Sequence, residues 1–123
     1  MVINGLTDML NRVSQARDLD AELYADVISA LQTAFPDENF GESGALAARH
    51  PTDAALHMVN THLPGWSITL KGKAHEVDGD WSCTLRQSDS RDNDAMIGVG
   101  SGPTLALALL VAFLKLNVRR AAQ

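Results

Sequence analysis

Gly102-Pro103-Thr104-Leu105-Ala106-Leu107-Ala108-Leu109-Leu110-Val111-Ala112-Phe113-Leu114-Lys115-Leu116-Asn117 is the stretch on which the fold turns. Its apolar side chains, Leu105, Leu107, Leu109, Leu110, Val111, Phe113, Leu114 and Leu116, surround nearly the whole circumference of a helix. A helix on a protein surface keeps one apolar stripe, so this one is expected inside the molecule. The apolar run from Leu105 to Leu114 is too short to cross a bilayer, which takes about 20 residues. The helix is expected from about Pro103 to Asn117, with proline at the first helical position and Arg119 and Arg120 complementing the dipole at the far end. One sheet face cannot cover so much apolar surface. Either the earlier helices supply the second cover, or a second copy of the chain does, through Leu107, Leu110 and Leu114 in a homodimer.

Upstream, three segments alternate with period two, the signature of half-buried strands. Trp66, Ile68 and Leu70 alternate with Ser67, Thr69 and Lys71, and Trp81, Cys83 and Leu85 alternate with Ser82, Thr84 and Arg86. Ala95, Ile97 and Val99 form the third apolar set, after which Gly100-Ser101-Gly102-Pro103 reads as a turn. The links carry Asp78-Gly79-Asp80 and the polar run from Ser88 to Asp94, so the segments are expected to pair as an antiparallel meander with one apolar face.

Further upstream, Leu6, Met9, Leu10 and Val13, then Leu19, Leu23, Val27, Ile28 and Leu31, recur at helical spacing, with a break near Ala16-Arg17-Asp18. Two helices follow. The first starts near Asn4 or Thr7; Asp18 is the expected cap of the second, which ends at Phe35-Pro36. Residues 36 to 50 have no clear period and read as a loop or insertion. A third short helix is expected after Pro51, with Thr52 as its cap and Pro64-Gly65 as its stop. The fold class is thus α+β, in the order α-α-α-β-β-β-α, with the C-terminal helix packed on the sheet. A chain of 123 residues suits a single domain spanning 1 to 123.

Composition narrows the function classes. The net charge of −5 opposes direct binding to nucleic acid or anionic membrane, which needs clustered lysine and arginine. Cys83 is the chain's one cysteine, which excludes an internal disulfide and suits a reducing cytoplasm. The N-terminus lacks the basic and apolar segments of a signal peptide.

Four segments carry a resemblance: Arg17-Asp18-Leu19-Asp20-Ala21-Glu22, Thr52-Asp53-Ala54-Ala55-Leu56, Pro64-Gly65-Trp66-Ser67, and the run from Gly102 to Leu109. In this order they resemble the phage ABA-sandwich family, small phage and prophage proteins named for helices packed over a β-sheet. The resemblance covers about residues 6 to 116, apart from 36 to 50. It implies the fold and a phage or prophage origin. The family has no assigned activity, so no catalytic residue carries over, and the acidic turn at 88 to 94 is not part of its motif.

Gly98-Val99-Gly100-Ser101-Gly102 before a helix suggests a phosphate cradle, hence a small ligand- or nucleotide-binding domain or enzyme. Neither complete phosphate-loop spacing is present, and Pro103 deletes a donor. His50, His57, His62 and His75 lack zinc spacing; Cys83 falls on an apolar strand phase; Asp89, Asp92 and Asp94 surround Arg91 and lack the EF-hand glycine. Trp66 and Trp81 read as core. The helix, meander, helix order matches double-stranded RNA-binding domains, but the final helix starts without lysine.

What stands out is an acidic bias between Glu76 and Asp94: Glu76, Asp78, Asp80, Asp89, Asp92 and Asp94 against Arg86 and Arg91. The expectation is a non-enzymatic protein without cofactor or metal. It would bind a basic, nucleic-acid-handling host protein and inhibit a host defence complex in the manner of an anti-CRISPR protein. A virion or assembly accessory is the further alternative.

Overall fold

The computed structural model describes residues 2–40, 49–73, 80–87 and 97–122. In chain order the described elements are α1 (Val2–Gln15), α2 (Ala21–Ala34), α3 (Pro51–His62), β1 (Ser67–Lys71), β2 (Trp81–Arg86), β3 (Ile97–Gly102) and α4 (Leu105–Ala122). The strands form an antiparallel meander in the order β1-β2-β3, and α4 packs on it. The α+β class and the element order match the sequence expectation.

The circumferential apolar surface of α4 is explained by its position. It lies against β2 and β3 on one side and against α1 and α3 on the other, while α2 packs on α1. Leu107, Leu109, Leu110 and Leu114 are each 0% exposed. Leu107, Leu110 and Leu114 are therefore covered within one chain, by its own sheet and helices. The buried Tyr24 hydroxyl donates to the Ala54 carbonyl at 3.1 Å, tying α2 to α3.

The final strand also differs from expectation. Gly100-Ser101-Gly102 belongs to β3, and the turn into α4 is confined to Pro103-Thr104. The phase is reversed as well. Gly98, Gly100 and Gly102 pair with Leu85, Cys83 and Trp81 on the inner face, whereas Val99 is 51% exposed on the outer one. The glycines are needed because the helix backbone rests on the strand. A Cβ on Gly98 would lie 2.5 Å from the Ala112 carbonyl oxygen, and one on Gly100 would lie 2.4 Å from the Ala112 nitrogen. Arg119 at the far end of α4 donates to the Ile97 carbonyl at 3.1 Å, so the helix folds back along the strand it follows.

Two caps and one helix start shift from their expected places. Asp20, not Asp18, caps α2, accepting from the Leu23 N–H at 2.8 Å, because a cap carboxylate must reach the amide three residues on. The α3 cap position is His50, without a side-chain bond, and Thr52 lies inside the helix behind Pro51. In α4, Thr104 accepts from the Leu107 N–H at 3.2 Å, which leaves Pro103 just outside the helix.

Candidate functional site

Within the 36–50 segment, residues 36 to 40 form a fastened turn. The Gln32 side-chain amide donates to the carbonyls of Phe35, Pro36 and Glu38, and its oxygen accepts from the Phe40 N–H. Phe40 is 4% exposed, so an aromatic ring inserted into the core anchors a polar stretch. The turn brings Glu38 to the C-terminal ends of α3 and α4. There its carboxylate meets Arg120 Nη1 at 2.9 Å and His62 Nδ1 at 3.5 Å.

Around this carboxylate the side chains are tightly specified. The Arg120 guanidinium carbon lies 3.9 Å over the centre of the Phe35 ring, and Arg120 Nη2 donates to Asn117 Oδ1 at 2.8 Å. Asn117 is buried in an otherwise apolar stretch of α4 and donates in turn to the Phe113 carbonyl at 2.9 Å. His62 stacks on Phe40 at 4.3 Å, with Phe113 tilted on it at 6.1 Å. Burial lowers the His62 pKa below its ordinary value; Glu38 pulls the other way, and the Arg120 charge adds to the lowering.

His62 separates two hollows. One, of about 170 Å³, opens among Tyr24, Phe40, Met58 and Thr61. The other, of about 60 Å³, lies between Leu63, Trp66, Phe113 and Leu116, with Asn117 and Arg120 beside it. Trp66 and Trp81 both pack against the core, as expected, and Trp66 also walls the smaller hollow. Sequence reasoning missed this cluster, although Phe40 in a polar segment and Asn117 in an apolar helix were its visible signals.

The residues singled out from the sequence fare differently. Gly98, Gly100 and Gly102 lie buried beneath α4, and the packing of the helix accounts for them without a phosphate. Cys83 is 1% exposed, and burial pushes its thiol up to about 11, far from nucleophilic readiness. Among the described residues no group of three His, Cys, Asp or Glu could hold a metal ion. No described helix is long and apolar enough to cross a membrane. Asp80 is exposed immediately before β2; Glu76, Asp78, Asp89, Asp92 and Asp94 lie outside the described residues, as do His75 and Ala95.

A second candidate surface is the outer face of the sheet. The pairing aligns three rows across it: Ser67, Arg86 and Ile97; Thr69, Thr84 and Val99; Lys71, Ser82 and Ser101. None of these residues is buried, and Thr69, Lys71, Val99 and Ser101 are exposed. The strand ends Lys71 and Trp81 lie at one end of this face, and Arg86 and Ile97 at the other.

Compared with known protein families, with curated proteins and with solved structures, the chain matches none of them.

Proposed function

We propose that this is a non-enzymatic protein of phage type that acts in the host cytoplasm by binding another protein through the outer face of its sheet. The carrying observation is the one-sided architecture. The described helices serve the inner side, while the outer face presents short Ser and Thr side chains around an exposed Val99, with Arg86 and Ile97 toward one end and Lys71 toward the other. Short side chains lose little rotamer freedom on contact, and Val99 supplies apolar area. In sequence, Glu76, Asp78 and Asp80 stand between β1 and β2, and Asp89, Asp92 and Asp94 between β2 and β3; this acidic bias favours a basic partner and fast, salt-sensitive association. The resemblance to the phage ABA-sandwich family supports a role inside an infected cell. The partner class that joins these points is a host defence complex with a basic nucleic-acid groove.

The test is expression of the chain in a bacterium whose RNA-guided nuclease complex blocks phage growth. Plaques are expected to return, and the purified chain to bind the complex less tightly as salt rises. Val99→Arg and Thr84→Arg should remove both effects in a folded protein. Undiminished interference, with no association between the purified components, would overturn the reading. Recovery of the chain in purified virions would instead favour an assembly role.

A further inference from the structure

We infer that the Arg120 guanidinium is a carboxylate seat occupied by the chain's own Glu38, and that a small organic monocarboxylate with a short apolar tail displaces Glu38 and fills the adjoining hollow. Arginine recognises carboxylates best when its planar fork is fixed in advance, because little freedom is then lost on binding. Arg120 meets that condition. Phe35 lies against its face, Asn117 Oδ1 accepts from Nη2, and Asn117 is itself fixed by its bond to the Phe113 carbonyl.

The present occupant is arranged so that it can leave. The Glu38 side chain is 34% exposed, while its backbone is held separately by Gln32 and by the buried ring of Phe40. Rotation of the carboxylate into solvent therefore leaves the turn in place. His62, which faces the same carboxylate at 3.5 Å, offers a further polar contact to an incoming acid.

The hollow beside Arg120 defines the rest of the ligand. Leu63, Trp66, Phe113 and Leu116 make it apolar, so a second charge on the ligand would be desolvated against aromatic rings at high cost. A water needs about 10–15 Å³ of such space, so 60 Å³ admits roughly four or five non-hydrogen atoms. A short-chain fatty acid fits; a fused ring system does not.

The experiment is an NMR titration with butyrate, and with n-butanol as the uncharged control, read at the Trp66 indole N–H and the Asn117 side-chain amide. Weak saturable binding is expected for the natural chain, and binding at least about tenfold tighter for Glu38→Ala, whose seat is vacant. Butanol should move neither signal. Adding Arg120→Met to Glu38→Ala should abolish the response. Arg120→Lys, which keeps the charge without the fork, should weaken it, with the thermal midpoint reporting that each variant folds. Absence of a saturable shift in Glu38→Ala, or an equal response after Arg120→Met, would overturn the assignment. Neither result bears on binding at the opposite, outer face of the sheet.

Discussion

Gly100 of β3 lies directly beneath Ala112 of α4: a Cβ built on the glycine would stand 2.4 Å from the Ala112 backbone nitrogen and 2.6 Å from the Ala108 carbonyl oxygen. The obstructing atoms are helix backbone, which cannot swing aside as a side chain does. Gly100→Ala must therefore lift α4 from the sheet. A loss of about 1–3 kcal/mol is expected from such overpacking, read by urea unfolding. Val99→Ala, one residue away on the outer face, should change the midpoint far less.

The start of α2 separates two aspartates two positions apart. Asp20→Ala removes the acceptor for the Leu23 N–H and should cost about 1 kcal/mol. Asp18 is exposed and outside the helix, so Asp18→Ala should be near neutral. Equal losses in the two variants would mean that the cap is shared.

Stability should depend on His62 in mildly acid solution. Burial is the largest cause lowering its pKa from the ordinary 6.5, so the folded chain takes up this proton less readily than the unfolded one. The contribution of neutral His62 is complete above pH 6.5, declines as pH falls through 6.5, and levels off below the folded value. Urea midpoints measured across this window should fall less steeply for His62→Phe than for the natural chain.

Cys83 provides a local probe of opening. With its thiol pushed up to about 11 and its side chain beneath α4, it should react negligibly with a disulfide reagent at pH 8 and completely in denaturant. Rapid labelling of the native chain would show that the interface between sheet and helix opens readily.

Local sequence already contained most of the architecture. Periods of three to four residues located the helices, and strict alternation located β1 and β2, because these patterns follow from backbone geometry alone. Where the structure departs from these patterns, the cause is tertiary. Apolarity points Val99 and Ile97 inward, yet the closeness of α4 leaves room inside only for Gly98, Gly100 and Gly102. Polarity cannot reveal a contact in which the space required is that of a missing side chain.

The same division holds for the helix that set the fold. That residues 105 to 116 form a buried helix was determined by the sequence, since a fully apolar circumference has no stable place in water. What covers it was decided only in three dimensions, by the approach of α1 and α3. The meeting of Glu38, His62 and Arg120 was likewise invisible beforehand. No spacing rule relates residues on three separate segments; the packing of Phe40 and Phe113 around His62 brings them together.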